Sequence, residues 1–198
     1  VLAKEPPRPV ERRFEWKAFG AFKAKSVLAL GALGALYSLI INAANQIINP
    51  FLQGEFNIDY STAGWVTTAW GIGVVLGGLT GGRLADRTGH KRAVYIAIGI
   101  TFVSVLLLGA VVVPELVWPL VILFGLAFGY YETVYFAVSM ELTDPRIAAS
   151  MFSILMAVAN IGTAVGLGLS GWLAQTSGFQ LTFMIIAALN ILALPLLP

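Results

Sequence analysis

Gly81-Gly82-Arg83-Leu84-Ala85-Asp86-Arg87-Thr88-Gly89-His90-Lys91-Arg92 decides how this chain is read. It is the only charge-dense stretch between two long apolar segments. Outside it the chain is greasy: of 198 residues, 58% are hydrophobic and 11% charged, with a mean hydropathy of +0.85. Soluble domains carry about 25% charged residues. A water-soluble fold of this size cannot hide so much apolar surface, so the solvent implied is lipid. There is no cysteine, which excludes disulfides and thiolate metal sites.

Six apolar segments are expected to span, each near the roughly 20 residues a helix needs to cross the bilayer core. They are placed at about 26–49, closed by Pro50; 61–85, capped by Ser61; 92–113, stopped by Pro114; 117–142, with Pro119 in its first turn; 145–175, with Asp144 as N-cap and Pro145 at the first helical position; and 179–197, after the Ser177-Gly178 turn. Residues 1–25 form a basic lead-in or linker. Its Pro6-Pro7-Arg8-Pro9 stretch reads as extended. Phe14, Trp16, Phe19 and Phe22 alternate with cations, as in a segment lying in the headgroup region. The chain starts at Val1 and stops at Pro198 after an apolar run, as a piece of a longer polypeptide would. No cleavable signal peptide is evident.

All twelve basic residues lie in three places: seven before the first span, four in the 81–92 stretch, and Arg146. With six spans those places share one side. The opposite loops carry only Glu55, Asp59 and Glu115. The positive-inside rule then makes both termini and the 81–92 loop cytoplasmic, in a multi-pass protein of the plasma (inner) membrane.

The spans differ in what they carry. The third and sixth have almost no polar side chains, as lipid-facing helices do. The second has Gly73, Gly77 and Gly81, and the fifth Gly162, Gly166 and Ser170. Small residues at four-residue spacing let backbones approach closely. The first places Ser38, Asn42, Asn45, Gln46 and Asn49 on one helical face. Amides facing lipid would lack hydrogen-bond partners at about 1–3 kcal/mol each, so this face looks onto protein or a solvated cavity.

Glu132, in the fourth span, is the only ionisable residue in the middle of any span. It lies roughly 22 Å of helix rise from the outer end. Burying it costs about 3 kcal/mol or more unless it faces a polar interior, and intramembrane carboxylates of this kind mark proton relays and solute paths. Tyr135 and Ser139 follow on its face, and Tyr131 adjoins it. The carboxyl group is expected to couple to protons, or to bind a cationic or hydroxylated substrate directly. The bland alternative is a carboxyl locked by neighbouring helices. His90 sits in a charged cluster. No Walker-type loop is present, and no cofactor, metal or nucleic acid is expected.

The stretch Gly82-Arg-Leu-Ala-Asp86-Arg87-Thr-Gly89-His-Lys91-Arg92 resembles the signature loop between the second and third helices of a major facilitator superfamily half. The loop Glu141-Leu-Thr-Asp144-Pro145-Arg146 resembles its counterpart between helices 4 and 5. The resemblance covers residues 26–198. It implies an all-α bundle of six membrane helices in two inverted three-helix repeats, with two such halves enclosing a cavity that opens to each side in turn. Helices 1 and 4 then line the cavity, 2 and 5 form the seam between halves, and 3 and 6 face lipid. The amides, Glu132, the Gly stripes and the bare helices already sort this way.

The expected function is secondary transport, by symport, of a small solute rather than an enzymatic reaction. The chain would act as half of a twelve-helix carrier, pointing to the C-terminal half, or as a paired half in a homodimer. An uncoupled facilitator or a non-transporting scaffold are the alternatives. Asn42, Asn45, Gln46, Asn49, Tyr131, Glu132 and Tyr135 are the expected substrate contacts. Gly82, Asp86, Arg87, Gly89, Lys91, Arg92, Glu141 and Arg146 are the expected conformational latch. In it Asp86 would meet the N-terminal end of a fifth helix, and Arg87 would meet Glu141 or Asp144.

Overall fold

The computed structural model describes residues 15–196. The Pro6–Pro9 stretch, Phe14 and the first four basic residues lie outside the described residues. A short 3-10 helix, Trp16–Lys23, leads into six helices: α1 (Lys25–Phe56), α2 (Tyr60–Thr88), α3 (His90–Gly109), α4 (Val117–Leu142), α5 (Ala148–Ser177) and α6 (Phe179–Asn190). A 3-10 segment, Ile191–Leu196, prolongs α6. With that extension counted in α6, all six are long and apolar enough to cross a membrane.

Several ends differ from the sequence reading, each for a local reason. Pro50 does not close α1, which runs on to Phe56. Phe51 and Leu52 beyond it are fully buried, and their packing outweighs the one backbone bond that proline removes. Membrane helices tolerate proline because neighbours re-satisfy the freed groups. Asn57, at φ 52°, then ends the helix in the left-handed conformation asparagine tolerates. Asp59, not Ser61, caps α2: its carboxylate accepts from the Thr62 N–H at 3.0 Å and from the Thr62 hydroxyl at 2.7 Å.

At the start of α5, Asp144 accepts instead from the Arg146 backbone N–H and guanidinium. The helix therefore begins three residues later, with Ile147 at its N-cap. The α pattern of α6 stops at Asn190, ahead of Pro195, which has no N–H for an α-helical bond to Ile191.

Two helix pairs carry the bundle: α1 lies along α5, and α2 along α4. Both contacts are made through glycine. A side-chain carbon on Gly77 would strike the Leu126 carbonyl, and one on Gly129 the Val74 carbonyl. Across the other pair, Gly162 lies on the Ala35 carbonyl and Gly166 on that of Leu39. The two stripes read from the sequence are thus occupied inside this six-helix unit.

The pairs are related by an internal repeat. Carrying α1–α3 onto α4–α6 turns the α1–α5 contact into the α4–α2 contact. It also superposes two single-residue junctions: Gly89 (φ 83°) joins α2 to α3, and Gly178 (φ 79°) joins α5 to α6. Both need positive φ, which glycine adopts without steric cost. Three crossings reverse direction, so the repeats are inverted. α3 and α6 pack on each other and turn their polar groups inward: Thr101, Ser104, Thr182 and Asn190 are buried, and Asn190 Nδ2 donates to the Ile98 carbonyl at 2.8 Å. α2 and α5 are the least enclosed helices, exposing Trp65, Ile72 and Leu79 on one and Ile161, Val165 and Trp172 on the other.

Candidate functional site

Midway along the bundle, α1, α4 and α5 enclose a pocket of about 280 Å³. α4 supplies Glu132, together with Phe128, Tyr131, Tyr135 and Phe136; α1 supplies Tyr37, Ser38 and Asn42; α5 supplies Met156, Asn160 and Thr163. Glu132 is half-buried and makes no hydrogen bond or ion pair among the described residues.

The wall behind it is rigid. Tyr37 stacks on Tyr131, and Tyr131 is near-parallel to Tyr135 at 6.1 Å. The Tyr37 hydroxyl donates to the Phe128 carbonyl at 3.3 Å, and the Tyr131 hydroxyl donates to the Leu33 carbonyl at 3.4 Å. Tyr131 is 1% exposed, so it ties α4 to α1 from behind the pocket. The ring end of Tyr135 fills the space that Gly34 leaves for want of a side chain.

The amide face of α1 divides between two places. Asn42 Nδ2 donates to Thr163 Oγ1 at 3.1 Å and to the Ser38 carbonyl at 2.8 Å, within the Glu132 pocket. Asn45, Gln46 and Asn49 lie further along and line a separate crevice of about 220 Å³ beside Thr67 and Trp70 of α2. There Asn49 Nδ2 donates to Thr67 Oγ1 at 3.2 Å. One helical face can hold all five polar residues, but eleven residues of rise cover about 16 Å, more than one small pocket spans. Asn160 and Thr163, which complete the pocket from α5, are absent from the sequence reading. Their spacing of three on an apolar helix was the available signal.

The charged end is paired differently from the expectation. Glu141 pairs with His90, Nδ1 to Oε2 at 2.6 Å. Arg146 pairs with Asp144 at 2.8 Å and with Glu15 of the lead-in at 3.1 Å. The Arg146 hydrogen bonds hold the Asp144 carboxyl below the usual carboxylate range, and Asp144 raises Arg146 in return. Asp86 and Arg87 are exposed and make no ion pair among the described residues. The expected bonds from Asp86 to α5 and from Arg87 to the α4–α5 loop are therefore not formed. α3 begins beside the end of α4, so His90 rather than Arg87 reaches Glu141. A larger cleft of about 430 Å³ at this end is lined mainly by aliphatic side chains, with Lys25, His90 and Lys91 among them.

The Major Facilitator Superfamily model matches residues 30–198. The chain belongs to the Major Facilitator Superfamily. It is a multi-pass membrane protein, with six candidate spans among the described residues. It is 29% identical to a gallate transporter of Pseudomonas putida over 172 residues, which is 86% of this chain and 38% of that protein. It is 28% identical to a glucose-6-phosphate exchanger of Danio rerio over 193 residues, 91% of this chain and 39% of that protein. It is 27% identical to a cis,cis-muconate transport protein of Acinetobacter baylyi over 173 residues, 86% of this chain and 39% of that protein. The superfamily chain described here thus spans about two fifths of the length of these curated relatives.

Proposed function

We propose that these six helices are one half of a secondary carrier that moves a small organic solute by alternating access, coupled to protons at Glu132. The observation that carries this is an intramembrane carboxyl group, without a hydrogen bond or ion pair among the described residues, facing a part-polar pocket midway along the bundle. Such a group is costly in a span and marks an ion or solute path. The relatives named for gallate, cis,cis-muconate and glucose 6-phosphate support a small organic solute in general. Asn42, Tyr135 and Glu132, with Asn160 and Thr163, form this half's contribution to the site. Asn45, Gln46 and Asn49 line the approach from the outer end.

The exposed faces of α2 and α5 meet the second half, in the same polypeptide or in another copy. The basic loops lie on the cytoplasmic side of the plasma membrane. There the 81–92 loop, Glu141 and Arg146 latch one conformation, with Asp86 and Arg87 taking their partners from the opposing half. No constellation for an enzymatic reaction is present in the sequence.

The test is uptake by the full-length protein in vesicles, against a panel of aromatic acids, dicarboxylates, sugar phosphates and organic amines. Uptake of at least one solute should rise when a pH gradient is imposed, and Glu132→Gln should lower the gradient-driven part by about tenfold or more. Full gradient-driven uptake in Glu132→Gln would place coupling elsewhere and leave transport standing.

A further inference from the structure

We infer that the solute held against this wall is an organic cation, an amine or quaternary ammonium on an aromatic or hydroxylated body. This rests on the carrier reading above and names its substrate class.

Charge sign decides it. In the pocket between α1, α4 and α5, Glu132 is the only carboxyl or basic side chain in the lining; the remaining titratable groups are the phenols of Tyr37, Tyr131 and Tyr135. The twelve Lys and Arg residues of this chain all lie in the lead-in, the 81–92 stretch and at Arg146, so this half places no cation in the pocket. An anion beside Glu132 would meet a like charge where water screens poorly. A cation meets the opposite situation. Both carboxylate oxygens are without a hydrogen-bond partner among the described residues, and a half-buried carboxylate left so can still accept from a donor on the solute. Phe128 and Phe136 flank it on α4, partly exposed, and aromatic faces attract ammonium groups. Asn160 makes no hydrogen bond among the described residues, so its amide remains open to a hydroxyl or carbonyl on the solute body. The volume of about 280 Å³ suits one small organic molecule.

Proton and cation then compete for one carboxylate. The titratable groups facing it are Tyr37 from α1 and Tyr131 and Tyr135 from α4. α5 contributes Met156, Asn160 and Thr163, none of which titrates. Lowering the pH therefore weakens cation binding through Glu132.

The decisive measurement is equilibrium binding to the full-length protein in lipid nanodiscs, using benzyltrimethylammonium and phenylacetate as probes of similar size and opposite charge. The wild-type protein should bind the cation at least about tenfold more tightly, and Glu132→Gln should remove that preference, since truncating one partner of a buried charge pair has effects of this size or larger. Glu132→Asp, which keeps the charge, should retain the preference and controls for folding. Phenylacetate binding as tightly as the cation, or an unchanged preference in Glu132→Gln, overturns the inference. Binding of neither probe also overturns it. Gradient-driven uptake of an acid from the panel above, in any of these cases, leaves the carrier reading intact while the substrate class falls.

Discussion

Glu132 was legible because charge in the middle of a span is rare and expensive; nothing about its neighbours had to be known. Asn42 was legible as a polar residue that must avoid lipid, but its partner was not. Thr163 is 121 residues away, and only the α1–α5 packing brings its hydroxyl within 3.1 Å. Thr163→Val keeps the volume and deletes that bond. The expected loss is about 0.6 kcal/mol in reversible unfolding in detergent, the average for hydrogen bonds between membrane helices. A loss several times larger would mean that the Asn42 amide, still held by the Ser38 carbonyl, has been left with one N–H unpaired in a dry site.

Asp144 gives a pH prediction. Its folded pKa is depressed by Arg146. Its contribution is therefore present above the unfolded value of about 3.9 and lost as pH falls through the lower folded value. The amides of the α4–α5 loop should lose protection against hydrogen exchange, relative to their intrinsic rates, below about pH 4, and Asp144→Asn should show the lower protection already at neutral pH. Because both groups are in partial contact with solvent, the change should be local and shrink in high salt.

At the scale of the helix, the small-residue stripes announced close packing without naming the partner. Gly73, Gly77 and Gly81 serve α4, and Gly162 and Gly166 serve α1. A stripe on one helix says only that some backbone comes near. Gly162→Ala should therefore destabilise by about 1–3 kcal/mol, the usual cost of overpacking. Gly168→Ala, on the same helix with nothing near its missing side chain, should be neutral or slightly stabilising through helix propensity. Equal thermal unfolding of the two variants in detergent would contradict the α1–α5 geometry.

Helix ends were less legible than helix cores. Pro50 and Asp144 carry standard stop and start signals; core packing outweighed the first and a bond to Arg146 two residues on diverted the second. Phe51 and Leu52 draw α1 onward into the core. Ile147, buried with Ala18, Val27 and Met151, sits at the N-cap of α5, while Asp144 is engaged by Arg146.

For the whole molecule, the inverted repeat explains why two glycine junctions and two glycine-lined helix pairs recur three helices apart. It also leaves α2 and α5 least enclosed, with Asp86 and Arg87 making no ion pair among the described residues. In the proposed latch these two residues engage the second half. Asp86→Asn should then favour the inward-open state: a cysteine placed at Ser38 should react faster with a membrane-impermeant maleimide from the cytoplasmic side, and turnover should fall more than solute affinity. Unchanged labelling would sink the latch.

Composition and pattern alone determined the solvent, the six crossings and the two side-chain types that matter most, an intramembrane carboxylate and a row of amides. These follow from hydrophobicity, charge and helical periodicity, which are properties of neighbours along the chain. Tertiary structure alone decided that the amide row serves two pockets, that Asn160 and Thr163 complete one of them, that His90 rather than Arg87 holds Glu141, and which helix each glycine stripe meets. Each of those depends on which backbones lie within a few ångströms across the bundle, and that distance is set by packing between helices remote in sequence.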